Sequence, residues 1–202
     1  MKRMSILALA LTALLGTANA QSEVKNECCG NSKAVLETIM TRTSVRKYKD
    51  QPVEKEKIEA MLRAGMAAPT AMNAQPWHFV VVSEKEGLEA LAAANPRAGM
   101  LKTAPLAIVV CGDMTKAREG KGREFWIQDC SAATENILLA AHAQGLGAVW
   151  TALYPMEERM KPLCEALELA DTLVPLCTVV IGYPAEQPTP KDKWKPENVT
   201  YK

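Results

Sequence analysis

Aromatic residues make up only 5% of the 202-residue chain, and histidine occurs twice. So thin an aromatic complement argues against a base-stacking platform. The 24 Lys+Arg against 23 Asp+Glu leave no basic excess to hold a polyanion, so nucleic acid is not an expected partner. Six cysteines are too sparse at this length for a disulfide scaffold. His78 and His142 lie far apart with no acidic residue at ligand spacing, so no metal site is expected. Neither a Gly-x-Ser-x-Gly elbow nor a phosphate-binding P-loop occurs. What the chain has in quantity is apolar residues, 48% against 23% charged, the make-up of a globular protein with one sizeable core.

Long apolar runs are also missing. The longest stands at the N-terminus, where Lys2 and Arg3 precede Ile6 to Leu15 and then Thr17-Ala18-Asn19-Ala20. A basic start, a short apolar stretch and an Ala-x-Ala site read as a secretory signal peptide over residues 1–20, cut after Ala20. Spanning a bilayer takes roughly 20 apolar residues, more than this run offers, so no stable membrane anchor is expected. Loss of Lys2 and Arg3 would take the formal charge from +1 to about −1. The expected location is therefore outside the cytoplasm, in the periplasm. Residues 21–31 are polar and read as a loose arm, followed by one domain over 32–202.

Within that domain, Ser32 is placed to cap a helix reaching Arg42, with Val35, Leu36 and Ile39 on one face. Thr43 to Gln51 reads as extended. Pro52 opens a second helix, with Ile58, Met61, Leu62 and Gly65 on one side, and Pro69 ends it. Phe79 to Val82 and Ala107 to Cys111 are apolar on successive residues, which implies strands buried on both faces. Leu88 to Ala93 reads as a helix between them. From about Glu124 to Ala143 the pattern is helical and apolar nearly all round, so this helix belongs at the centre of the fold, stopped by Gly145 as a left-handed cap. Ala148 to Trp150 and Leu176 to Ile181 are two further strands. The count is an α+β domain with an irregular tail after Pro184. That tail closes in Val199-Thr200-Tyr201, a small strand in search of a partner, for which a second subunit is the simplest candidate.

Three stretches could carry chemistry. Arg42, Ser44 and Arg46 stand at alternate positions, so an extended backbone turns two guanidinia and a hydroxyl the same way. That suits a phosphate monoester; it also suits a solvated basic edge. Ala68 to Trp77 is a helix exit crowded with small and amide residues. There Asn73 and Gln75 could read a heteroaromatic edge or simply satisfy turn backbone. Gly145 to Thr151 joins the central helix to a strand, and its Gly-x-Gly lacks the third glycine of a dinucleotide fingerprint. Adjacent Cys28 and Cys29 would close a strained ring, so pairing elsewhere or remaining free fits them better. Cys111, Cys130, Cys164 and Cys177 fall in strands or helices, where a small buried residue is the usual role.

In this order, the segments resemble the FMN-dependent nitroreductase family. Arg42-Thr43-Ser44-Val45-Arg46-Lys47-Tyr48 looks like the family's opening Arg-x-Ser-x-Arg/Lys-x-aromatic element. Ala68-Pro69-Thr70 through Asn73-Ala74-Gln75-Pro76-Trp77-His78-Phe79 looks like its second flavin-contacting loop. Gly145 to Thr151, Ile181-Gly182-Tyr183-Pro184 and Lys191-Asp192-Lys193 before Val199 are similar to three further landmarks. Five weak motifs in the right order, from about Ser32 to Tyr201, make a specific resemblance. Two departures are visible: Thr70 stands where the family often has Ser, and Gly112 to Phe125 is shorter than in many relatives, which leaves the substrate less specified than the cofactor.

The resemblance implies an α+β fold with a mixed central sheet flanked by helices, in an intertwined homodimer whose C-terminal tails are exchanged. It implies FMN as cofactor. Arg42 and Ser44, with Lys191 or Lys193, would take the 5′-phosphate, Thr43 would also contact the cofactor, and Arg46 would approach the N1/O2 side of the ring. Pro69, Thr70, Ala71, Asn73 and Gln75 would reach the ring or ribityl chain, partly from the partner. Val149, Trp150 and Thr151 would line the other edge. The implied activity is ping-pong hydride transfer from a reduced donor such as NAD(P)H to a flat electron-poor acceptor, a nitroaromatic or quinone. No side chain is needed as nucleophile or general acid, because the flavin carries the chemistry. Export motivates a second reading, a non-enzymatic flavin binder or redox carrier.

Overall fold

A computed structural model describes residues 31–202, so the signal-peptide pattern and residues 21–30 of the expected arm lie outside the described residues. The chain divides into two compact units after Thr41.

In the first unit residues 31–41 are helical (α1). Asn31 already belongs to this helix, so Ser32 sits inside it and does not cap it. Val35, Leu36, Ile39 and Met40 are all exposed along it.

The second unit is built on one four-stranded sheet. Its strands are β1 (Trp77–Val82), β2 (Leu106–Asp113), β3 (Gly147–Ala152) and β4 (Leu173–Gly182), in the order β1-β2-β4-β3. All three ladders are antiparallel. One isolated parallel bridge, Ser44 to Ala148, lies outside these ladders. Helices α2 (Lys55–Met66) and α4 (Phe125–Ala143) contact each other, and α3 (Lys85–Ala94) contacts α5 (Glu157–Ala166).

Strand periodicity explains the layering. Along β2, Leu106, Ile108 and Val110 pack with Met61 of α2 and Ile137 of α4. The alternate residues Ala107, Val109 and Cys111 pack on the other face with Leu91 of α3 and Leu163 of α5. A strand clothed on both faces is apolar along its length, and every residue of β2 is buried, with Asp113 at its end paired to Thr115 and Lys116. The same expectation fails for β1, which carries an equally apolar run. It is an edge strand, with His78 and Val81 exposed, because only β2 pairs with it.

The central helix meets its expectation. Eight residues of α4 are buried, Trp126, Asp129, Thr134 and Ile137 among them. Gly145 lies at φ 75° just beyond the Gln144 cap. Gly145 N–H donates to His142 O at 3.0 Å and Leu146 N–H to Ala141 O at 2.9 Å, the paired bonds of a Schellman ending.

Three boundaries differ from the sequence reading. Helix α2 begins at Lys55 after an extended Glu54, not at Pro52. The Glu54 carboxylate accepts from the Tyr183 hydroxyl at 2.9 Å instead of capping the helix, which ties this start to the end of β4. Helix α5 was not anticipated, since Pro162 interrupts its pattern and only Leu163 is buried along it. Val199 to Tyr201 forms no strand within this chain; the tail holds one 3-10 turn, Pro196–Asn198, and Tyr201 is 90% exposed. Among the described residues, no helix is long and apolar enough to cross a membrane.

Candidate functional site

Extended backbone from Arg42 onward lies beside β3. Val45 N–H donates to Ala148 O at 3.0 Å, and Ser44 bridges Ala148. Val45 is buried against Gly147, where an added Cβ would come within 2.7 Å of it. Alternation therefore turns Ser44 and Arg46 away from Val45. The Arg42 Nε sits 3.3 Å from Glu135 Oε1 on α4, with the arginine side chain 19% exposed. His142, seven residues further along α4, is depressed in pKa by burial and then by the Arg42 guanidinium. Arg46 is exposed, and its backbone N–H donates to Glu186 Oε1 at 2.9 Å. Thr43 is half-buried.

The second stretch is a tightly wound loop. After α2 ends, Ala71–Asn73 forms one 3-10 turn with Met72 at φ 55°, followed by Asn73 at 56° and Gln75 at 49°. Three left-handed residues without a glycine are costly, so surrounding bonds must enforce them. Asp129, buried on α4, accepts Ala71 N–H at 2.9 Å. Thr70 Oγ1 accepts Gln75 N–H at 3.2 Å, and Asn73 Oδ1 accepts Gln75 Nε2 at 2.9 Å. Asp113 N–H closes the exit by donating to Pro76 O at 2.6 Å. Pro69, Asn73 and Gln75 are exposed, while Thr70 and Ala71 are half-buried. Beside the loop lies a cavity of about 450 Å³ lined by Leu62, Met66, Gln75, Trp77, His78 and Lys116 among others.

Asp113 itself is heavily bonded. Its Oδ1 accepts from the Thr115 hydroxyl at 2.6 Å and the Thr115 amide at 3.0 Å, and Lys116 Nζ lies 2.9 Å from Oδ2. These bonds, the Thr115 hydroxyl foremost, lower its pKa to about 2.

The third stretch is divided by the pleat. Val149 is buried with the α3 side of the core, whereas Trp150 packs against the α4 side. Thr151 spends its hydroxyl on Thr178 O at 2.9 Å. Val149, Trp150 and Thr151 thus share a strand edge but not a face. Lys191 and Lys193 are exposed in the tail. Among the described residues, no hydrogen bond or ion pair links either lysine to Arg42, Ser44 or Arg46.

The structure joins the Arg42 segment to β3, and α4 holds both Arg42, at Glu135, and the 69–75 loop, at Asp129. Ala148 pairs with Ile181, and Ile181 with Leu106, at one end of β2. The loop enters β1 at Trp77, which pairs with Gly112 at the other end of β2. Ser44 and Trp77 are thus separated by four strand spacings across and about six residues along, roughly 25 Å. Sequence reasoning missed Glu135, Asp129 and Glu186, which hold Arg42, Ala71 and Arg46. Isolated carboxylates on helices and in tails carry no local pattern that marks such long-range roles.

Among the described residues, burial disfavours the thiolate at the core cysteines. Burial pushes Cys111 up to about 12 and raises Cys130 as well. Among the described residues, no group of three or more His, Cys, Asp or Glu could hold a metal ion.

Comparison with known proteins places this geometry. A model described as the nitroreductase family matches residues 39–98 and 89–183. A candidate NADH dehydrogenase/NAD(P)H nitroreductase of Methanothermobacter thermautotrophicus is 44% identical over 165 residues, 82% of this chain and 85% of that protein. The crystal structure of a protein with the same description from Bacteroides thetaiotaomicron superposes with a TM-score of 0.78 at 48% identity, covering 83% of this chain and 96% of that one. A candidate nitroreductase of Desulfovibrio desulfuricans, solved in complex with FMN, gives a TM-score of 0.73 at 30% identity, with 83% and 96% covered.

Proposed function

The chain belongs to the nitroreductase family, and from that premise we propose that it is an FMN-dependent oxidoreductase passing reducing equivalents from a nicotinamide donor to a flat electron-poor acceptor. Nitroaromatics and quinones are the acceptor classes, and donor and acceptor occupy the same place in turn. The observation that carries this reading is the seating of Ser44 on Ala148. It sets two arginines and a hydroxyl beside a strand edge more than 100 residues away in sequence.

The donor set fits a flavin mononucleotide. Arg42, steadied by Glu135, and Ser44 supply charge-assisted donors to a phosphate monoester, with Thr43 beside them and Lys191 or Lys193 completing the shell. Arg46, exposed next to them, offers a cation to the ring side that gains negative charge on reduction. Pro69 to Ala71, Asn73 and Gln75 present a bond-locked edge of amides and small side chains. Val149, Trp150 and Thr151 contribute their strand edge. Bound there, FMN would supply the hydride-accepting and hydride-donating ring, and this chain would orient it, tune its charge and shield one face.

Arg42 and the 70–75 loop both reach α4, at Glu135 and Asp129, six residues or about 9 Å of helix rise apart. The family resemblance supports a homodimer in which the loop of one copy meets the Arg42 segment of the other and the tails are exchanged. In the tail, Trp194 at 67% and Tyr201 at 90% exposure support a segment made to be covered, and the exposed apolar residues of α1 support the same of that helix by itself. The Lys2-Arg3, Ile6–Leu15 and Ala18-x-Ala20 pattern supports export, which an N-terminus at Gln21 on the secreted protein would test.

An absorbance spectrum of the purified protein before and after NADH and NADPH decides the function. A bound flavin that bleaches with nicotinamide and recovers with a nitroaromatic or quinone supports the enzyme. Flavin that no nicotinamide reduces favours the exported carrier, and a colourless protein that takes up no FMN refutes both.

A further inference from the structure

The left-handed loop between α2 and β1 is not shaped by its own sequence. Met72 and Gln75 are ordinary side chains with no local reason to adopt positive φ, and Met72 is 81% exposed, so no packing pins it there. Bonds within the loop, Asn73 N–H to Thr70 O and Ala74 N–H to Ala71 O, both at 3.2 Å, close its turn but tie it to nothing outside. At the exit Asp113 N–H holds Pro76 O. At the entrance one outside bond is made, from Ala71 N–H to the Asp129 carboxylate at 2.9 Å.

Asp129 is built into the core side of α4 and only 6% exposed. It stands one turn from Trp126, whose indole lies against Gly112 so closely that an added Cβ would overlap it. The Trp126 ring meets Tyr154 edge-on, with centroids 5.0 Å apart. The carboxylate is thus carried by a helix packed into the core, while the amide it holds belongs to a strained and largely exposed segment. Burying a carboxylate is costly, and its return here is a charge-assisted bond at the point where the chain enters the left-handed turn.

We propose that Asp129 is a positioning residue, whose buried carboxylate, acting through the Ala71 amide, fixes the 70–75 loop in the shape that meets the flavin ring. The proposal rests on the FMN reading above. The loop meets ring and ribityl groups, which FMN and riboflavin share, so the loss on removing Asp129 is the same for both. Loss at the phosphate would spare riboflavin.

The test compares wild type, Asp129→Asn and Asp129→Ala, titrated with FMN and with riboflavin, with thermal unfolding of each apoprotein as a fold control. Asparagine keeps an oxygen to accept the Ala71 N–H, and alanine does not. We expect Asp129→Ala to weaken both flavins about 10-fold to 100-fold, the range for losing one charge-assisted hydrogen bond, and Asp129→Asn to recover most of that. Amide exchange at Ala71 in the apoprotein should quicken in Asp129→Ala and return toward wild type in Asp129→Asn. Equal flavin binding by wild type and Asp129→Ala would overturn the proposal, as would a loss confined to FMN. If Asp129→Ala fails to fold, Asp129→Asn and Asp129→Ser decide: serine has a hydroxyl too short to reach, so binding by serine equal to asparagine overturns the proposal. A wild-type protein that binds neither flavin removes the FMN reading itself, a result distinct from any ranking among variants.

Discussion

Replacing Asp113 by asparagine removes a charge that the fold uses at the exit of the 70–75 loop. The aspartate accepts from the Thr115 hydroxyl and amide and faces Lys116 at 2.9 Å, which lowers its pKa from 3.8 to about 2. Each pKa unit is worth about 1.4 kcal/mol, so the shift sets an upper bound of about 2.5 kcal/mol. Lys116 is half exposed, and solvent screens its share, leaving about 1–2 kcal/mol. The sign follows from proton binding. A carboxylate depressed in the folded state binds fewer protons there, so its contribution is complete above pH 4 and is lost as pH falls through the folded value near 2. Urea unfolding of flavin-free wild type and Asp113→Asn, at one protein concentration, should show a gap of about 1–2 kcal/mol from pH 5 to 7 that closes toward pH 2. Asparagine can still accept from Thr115, so the gap reports the charge. A difference that stays constant down to pH 2 would refute the electrostatic account, and no difference at pH 7 would show that the Asp113 charge adds nothing to stability.

Arg42→Ala should weaken FMN by about one to two decades and riboflavin little, by calorimetric titration, since an arginine–phosphate bond is worth ~1.5–3 kcal/mol; equal losses would take Arg42 off the phosphate. Arg46→Leu should lower the flavin midpoint potential by about 30 mV, as expected for a loss of ~1.4 kcal/mol in a two-electron couple, and cost less FMN affinity than Arg42→Ala; an unchanged potential would exclude a role beside the ring. Deleting Lys191 to Lys202 should release FMN and dissociate the dimer together, and a flavin-loaded monomer in sedimentation would contradict tail exchange.

Local chemistry was legible wherever a residue pattern is answered by its own element. The all-round apolar run of α4 could only lie at the centre, and Gly145 could only end it as a left-handed cap. The successive branched residues of β2 required cover on both faces. The order of weak motifs was enough to mark the family, because each is a short stretch read in place. The alternation of Arg42, Ser44 and Arg46 about an inward Val45 was equally open to reading, since an extended backbone has a period of two.

Pairing and approach were not legible, because they are decided by residues far apart in the chain. The runs in β1 and β2 are equally apolar, yet one strand is an edge and the other central, a difference of neighbours and not of composition. Helix α5 forms despite Pro162, since packing against α3 outweighs its weak local pattern. Positive φ at Met72 and Gln75 is written in no residue type there; it is sustained by Asp129, more than 50 positions later. The amino-acid sequence by itself determined that β2 is covered on both faces and where the central helix stops. Tertiary structure alone decided that the Arg42 segment lies against β3, that the loop lies at the opposite edge, and that a buried carboxylate shapes it, because strand order and helix contacts are set by long-range packing that no local window contains.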